Sequence, residues 1–362
     1  MKKLFALALV LSMVIGLVPA LASGNNVANV FYGGGTPQSG DPALNSASNG
    51  SNVIKLSHAG LYGFQWVDGV AGLAPELASG YTLSDDKLTY TFTLREGLKW
   101  SDGSDFMVQE LADSWKRAAS TELGADYGYM FEIIDGYPDN LNIAVDETAR
   151  TFTVVLKAPA PYFIDLAAFP TFYPVKVANA DIEGIWATKP ETNIGMGPFR
   201  MTAYRVDDVI AFEKNEYYWH PEQVKLDGVN AYLAEDNAAI LAAYESGAAH
   251  FSNAIDPVEF DRINSTYPGE LTFEALLGTY YILFNVHKDV SPAGKQLTVQ
   301  EQAKARFALG LMINRQELTQ YVTKGGQTPA IGFFPAGLAD GTNLDVRSAE
   351  GYSTWYTETA TP

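Results

Sequence analysis

Residues 73–104 read LAPELASGYTLSDDKLTYTFTLREGLKWSDGS. Within KLTYTFTL, residues 87–94, Leu88, Tyr90, Phe92 and Leu94 alternate with threonines. That period of two predicts a strand buried on one face. A second strand is predicted over Thr151–Leu156, after the turn-like DETAR. Between them, MVQELADSWKRAA repeats Val108, Leu111, Ala112, Trp115 and Ala119 at spacings of three and four. This predicts a helix with one inward face, and Ser104 or Asp105 is placed as its cap.

Working outward, Val209–Glu213 and Ala231–Ala234 read as strands. A helix follows, with Asp236 as N-cap and Gly247 just past its end. Gln300–Ile313 is helical by pattern. Asn314 and Glu317 have capping-box spacing, opening a helix through Leu318, Tyr321 and Val322 that stops at Gly325 and Gly326. Tyr280–Val286, a short apolar and aromatic run, reads as a strand buried on both faces. Strands and helices alternate without a repeat, so the fold class is α/β. The Gly33–Gly35 triplet reads as a flexible turn, since no helix pattern follows it.

At the amino terminus Lys2 and Lys3 precede an apolar run, Leu4–Leu17, and Ala20 and Ala22 form an A-x-A pattern. This is the grammar of a signal peptide, residues 1–22, cut before Ser23. The run is shorter than the roughly 20 residues a spanning helix needs, so no stable membrane insertion is expected after cleavage. There are no cysteines. That removes disulfides, thiolate metal sites and a lipid-anchor cysteine, and favours a periplasmic or envelope-associated exported protein. The chain carries 42 acidic and 24 basic residues, a formal charge of −18. Such a chain repels phosphate backbones, so nucleic acid and anionic membranes are excluded as partners.

No reactive constellation is legible. His58, His220, His250 and His287 are scattered without ligand spacing, and no metal or other cofactor is implied. Neither a P-loop nor a G-x-S-x-G elbow occurs. The adjacent carboxylates Asp85–Asp86 and Asp207–Asp208 sit in turns, where neighbouring side chains point apart, so they read as solvated loop charges. The balance favours binding without chemistry over an enzyme.

Three stretches carry a resemblance. They are residues 73–104 leading into Asp113–Trp115; GPFRMTAYRVDDVIAFEKNEYYW at 197–219; and TYYILFNV at 279–286 with RFALGLMINRQEL at 306–318 and PAIGFFP at 329–335. In order and spacing these are similar to the dipeptide and oligopeptide receptors of ABC importers, the extracellular solute-binding proteins of family 5. The match departs at Met107, where the family usually places Thr or Ser, and in the polar tail after Asn343.

The resemblance implies a two-lobed, type II periplasmic-binding-protein-like fold with an extra domain on the first lobe. Residues 23–57 and 181–277 would form the first lobe, 58–180 the extra domain, and 278–362 a partial second lobe. Family members are longer, so the chain reads as C-terminally truncated and is expected to bind poorly by itself. The implied function is capture of short peptides, enclosed between lobes, and delivery to permease subunits by a monomer. Ser48, Asn49 and Gly50 are placed at an edge that pairs with the peptide backbone, an ordinary surface loop being the competing reading. Tyr280, Tyr281 and Asn285 are placed along the site, and Lys324 at the peptide carboxylate against a solvated helix-end lysine. Tyr129, from the aromatic pair with Tyr127, is a further candidate contact against core filler. Other solutes remain open within the class: a nickel chelate, an oligosaccharide or haem. Outside it stand a secreted hydrolase and a peptide-sensing surface protein.

Overall fold

The computed structural model describes residues 24, 26–67, 70–274, 276–338, 345–348, 352, 354 and 356. The predicted signal peptide and most of the tail after Asn343 lie outside them. The chain falls into two compact units, Met1–Ala254 and Ile255–Pro362. The expected passage between lobes at 277–278 thus lies within the second unit.

In the first unit, strands β1 (Val27–Phe31), β2 (Tyr62–Val67), β3 (Val70–Pro75), β4 (Ala78–Leu83), β5 (Thr89–Leu94), β6 (Ile143–Asp146) and β7 (Thr151–Val155) precede β8 (Phe199–Arg205), β9 (Val209–Lys214), β10 (Gly228–Tyr232) and β11 (Phe251–Ser252). The helices are α1 (Ser48–Ser57), α2 (Val108–Ala119), α3 (Phe163–Ala167) and α4 (Asn237–Glu245).

One antiparallel sheet has the order β4-β5-β7-β6. The alternation seen in the sequence is realised: Tyr90, Phe92 and Leu94 are buried, and Phe92 stands opposite Phe152. Helix α2 lays Val108, Leu111, Ala112, Trp115 and Ala119 into this core. The Trp115 ring meets Phe152 at 4.8 Å and Phe172 at 5.0 Å, and its Nε1 donates to Phe172 O at 2.8 Å. A buried indole is thereby packed and hydrogen-bonded at once.

The expected cap of α2 is not the one used. Asp105 pairs with Lys99 at 2.5 Å, and Ser104 is bonded to Asp102 and Lys176. Met107 occupies the N-cap position without a side-chain cap. Instead Glu147, far along the chain, accepts from Val108 N at 3.0 Å and Gln109 N at 2.7 Å. Its carboxylate satisfies free amides at the positive end of the helix.

A second sheet has the order β11-β1-β10-β9-β8, with β1 parallel to β10 and β11 and the rest antiparallel. Its core includes Val30, Phe199, Ile210, Phe212 and Val229, with Val53 of α1 packed on them. The strand expected at Ala231–Ala234 starts earlier because pairing with β1 sets its register, Val27 opposite Gly228 through Phe31 opposite Tyr232. Asp236 caps α4 as expected, its Oδ1 accepting from Ala238 N at 2.8 Å and Ala239 N at 3.3 Å.

A buried ion pair joins three segments of this unit. Asp41, fully buried, receives Arg117 Nη2 at 2.6 Å, Trp186 Nε1 at 2.9 Å and Ala43 N at 2.9 Å. Arg117 also donates to Asp181 O at 2.7 Å. At the end of α1, burial pulls His58 down to about 4, against the opposing pull of Asp41. Burial pushes Glu76 up to about 7, although Gly60 N, Tyr218 and Arg95 favour its ionised form.

The second unit holds α5 (Phe260–Thr266) and α6 (Val299–Leu311). Thr298 and Glu301 form a reciprocal capping box on α6. Asn314 Oδ1 accepts from Glu317 N at 3.2 Å, but the following Leu318–Thr323 coils as a π-helix and ends on Lys324, left-handed at φ +51°. The stop falls one residue before the glycines that were expected. The predicted strand at Tyr280–Val286 is absent: the segment is irregular and open to solvent, Tyr280 being 99% exposed. Among the described residues the second unit contains no strand, so this run has no ladder partner.

Two outcomes follow for the first unit. Replacing Arg117 with Met strands Asp41 without a countercharge, and chemical denaturation should show a loss of about 3–5 kcal/mol. His58 stays neutral when folded but takes a proton near pH 6.5 when unfolded, so its contribution is lost as pH falls from 6.5 toward 4. Glu76 has the opposite slope, losing stability as pH rises from 4.5 to 7. In Glu76→Gln the histidine slope is therefore unmasked, and urea melts should show a drop of about 3 kcal/mol across the acid window.

Candidate functional site

Strands β1, β10 and β11 run parallel, so Phe31, Tyr232 and Ser252 end at one edge of the sheet. In open α/β sheets this carboxyl edge is where ligands settle. From β1 the chain enters Gly33-Gly34-Gly35-Thr36, which side chains from separate elements hold in place. Gly33 N donates to Asn253 Oδ1 at 3.0 Å. Asn49 Nδ2, on α1, donates to Gly34 O at 3.0 Å and reaches Gly35 O at 3.4 Å and Thr36 O at 3.5 Å. Thr36 Oγ1 donates to Asp207 Oδ1 at 2.6 Å and accepts from Asp207 N at 2.8 Å.

Gly35 has φ +67°, and a Cβ there would lie 2.6 Å from Glu235 Oε1, so only glycine suits the position. Among the described residues the amides of Gly34, Gly35 and Thr36 have no hydrogen-bond partner. Along the same edge runs an open depression of about 560 Å³, lined by Phe31, Tyr232, Asp207, Asp208 and Glu235. The Phe31 and Tyr232 rings stack at 4.9 Å. Burial, assisted by the charge of Asp207, pushes the nearby Tyr204 phenol up. The arrangement offers donors, a stacked aromatic floor and negative charge.

The residues singled out in the sequence fare differently. Ser48, Asn49 and Gly50 form the first turn of α1 rather than an extended edge or a loop. Gly50 is buried, and a Cβ there would collide with the Asn45 carboxamide, so its place is one of packing. Asn49 alone of the three reaches the glycine loop. Tyr129 lies on a short 3₁₀ turn, Gly128–Ile133, largely exposed, with its ring 6.3 Å from Tyr127.

In the second unit Tyr281 packs at 5.3 Å from Phe333, and Asn285 Oδ1 accepts from His287 N at 3.0 Å. Neither they nor Tyr280 line the depression of about 710 Å³ around Lys324, whose Nζ lies 3.0 Å from Asp261 Oδ2. The sequence reading had the glycines as a turn and Asp207 as a loop charge, and did not foresee that Asn253 and Asp207 hold that turn. The signal was a glycine triplet directly after an apolar run, read only as a turn.

A family model described as bacterial extracellular solute-binding proteins, family 5 Middle, matches residues 72–351. The chain belongs to this family. The oligopeptide-binding protein OppA of Bacillus subtilis is 30% identical to this family 5 protein over 313 residues, covering 83% of this chain and 55% of that protein. The dipeptide-binding protein DppE of the same organism is 28% identical over 287 residues, covering 76% and 50%. The chain thus spans about half the length of these relatives. The structure of Listeria monocytogenes OppA bound to peptide superposes with a TM-score of 0.74 at 29% identity, covering 89% of this chain and 64% of that one. The fold is accordingly the mixed α/β, type II periplasmic-binding-protein fold. Among the described residues no group of three His, Asp or Glu side chains converges to hold a metal, and no helix is long and apolar enough to cross a membrane.

Asn49→Ala removes the clamp on Gly34–Thr36. The loop amides should lose order on the ps–ns timescale, order parameters falling from about 0.85 toward 0.6 by NMR relaxation. The accompanying stability cost should be about 1 kcal/mol.

Proposed function

We propose that this family 5 protein captures short peptides outside the cytoplasmic membrane and passes them, chemically unchanged, to the permease subunits of an ABC importer. The observation that carries this reading is the run of amides at Gly34, Gly35 and Thr36, without a hydrogen-bond partner among the described residues and fixed on the carboxyl edge of the sheet. Peptides of varied sequence share only a backbone, an ammonium and a carboxylate. Main-chain pairing along an extended peptide supplies affinity without regard to side chains, and a rigidly held loop loses little entropy in forming it. The names of the B. subtilis relatives, for oligopeptides and dipeptides, and the peptide in the Listeria structure support the same class of solute.

The negative edge at Asp207, Asp208 and Glu235 suits the ammonium end of such a ligand. With this reading go export to the cell envelope, a monomeric receptor, and the assignment of 23–57 with 181–277, 58–180, and 278–362 to first lobe, added domain and second lobe.

At its full natural length, the protein should melt higher in the presence of a mixed tripeptide to pentapeptide pool. A ligand held at about 100 Kd adds about 2.7 kcal/mol, a rise of a few degrees. Mass spectrometry of the mixture should return every peptide intact. An unchanged melting temperature, or cleaved peptides, overturns the proposal.

A further inference from the structure

The second unit carries a lysine held in an unusual way. Lys324 ends a π-helical turn in the left-handed region at φ +51°, a conformation uncommon for a residue with a long side chain. Single π-turns recur at functional positions. Its ammonium crosses to α5 and meets Asp261 Oδ2 at 3.0 Å. Beside this pair lies the open depression of about 710 Å³, to which Gln316, Gln320, Tyr321 and Gln327 also contribute. A lysine ringed by neutral amide and hydroxyl groups suits a carboxylate, which takes charge-assisted hydrogen bonds from the ammonium and neutral ones from the amides.

Asp261 already supplies a carboxylate there. Its side chain is 85% exposed against 29% for Lys324, so the ion pair is solvated at one end and weak. The adjacent Arg262 is engaged by Glu259 at 2.6 Å. We propose that Asp261 is an internal stand-in for a ligand carboxylate, occupying Lys324 until an incoming carboxylate displaces it, and so sets how strongly the site favours a free carboxyl end over a blocked one. This rests on the peptide-receptor reading for the identity of the ligand and adds to it a residue that tunes specificity.

The test uses two probes. Acetate is titrated into the chain while the Lys324 side-chain signal is followed by NMR; Asp261→Asn should lower the acetate midpoint about two- to fivefold, the range expected for losing one exposed competing pair. Separately, one tripeptide is titrated as its free acid and as its C-terminal amide. Asp261→Asn should tighten the acid two- to fivefold and leave the amide unchanged, and Lys324→Gln should abolish that gain. Acetate midpoints that coincide in wild type and Asp261→Asn overturn the inference whatever the peptides do. A shifted acetate midpoint with no binding of either peptide upholds it and overturns the peptide reading instead.

Discussion

The Asp41–Arg117 pair is the constraint on which the arrangement of the first unit depends. A carboxylate with no solvent exposure tolerates ionisation only where countercharge and hydrogen bonds converge on it. Here they come from Ala43 beside it and from two stretches distant in sequence, Arg117 on α2 and Trp186 after the 181–184 turn. The Ala43 contact is local, but the other two donors reach Asp41 only when α2 and the segments around 41 and 186 occupy their native places together. From Asp41 the consequence runs toward the carboxyl edge of the second sheet. Its carbonyl accepts from Asn45 N at 3.0 Å, Asn45 Nδ2 donates to Ala47 O at 2.9 Å, and α1 begins at the next residue. That helix delivers Asn49 to the glycine loop, so a buried charge pair fixes the direction from which the loop is clamped.

How much of this was legible depended on whether the deciding partner was local. The alternation in 87–94 and the helical face of 107–119 were readable because each element buries one side against a core, and burial follows from the residue's own period. The cap of α2 was not, since Glu147 lies in a turn between two other strands and only the fold brings it there. The register of β10 escaped for the same reason: its bounds are set by β1, some 200 positions away. Tyr280–Val286 shows the limit most sharply. An apolar run states that it needs cover, but a strand exists only beside another strand. The resemblance placed Asn49 on an extended edge, whereas it stands in the first turn of α1, because helix and extended edge are indistinguishable in three residues.

One titrating group bears on whether the first unit could carry acid–base chemistry. A carboxyl raised toward neutrality is what acid–base enzymes use, and Glu76 has one. Its oxygens, however, are taken up by the Tyr218 hydroxyl at 3.2 Å and Gly60 N at 3.3 Å. Arg95, whose guanidinium stacks 4.0 Å above the Trp219 ring, adds its charge to the same neighbourhood. A general acid must present its proton to a substrate. This one is spent on joining the corner between β3 and β4 to the chain after β9.

Two ion pairs in this chain contain the same chemistry and do opposite work, and solvent is what separates them. Asp41 and Arg117 are 0% and 11% exposed; breaking that pair leaves a bare charge in a low dielectric, so it is permanent. Asp261 and Lys324 are 85% and 29% exposed; water replaces either partner at little cost, so it is exchangeable. The proposed role of Lys324 needs the second kind, a contact weak enough to give way to an incoming carboxylate, whereas the packing around α2 needs the first. Exposure of the acidic partner, more than the length of the hydrogen bond, decides to which class a pair belongs, since 2.6 and 3.0 Å are both ordinary distances.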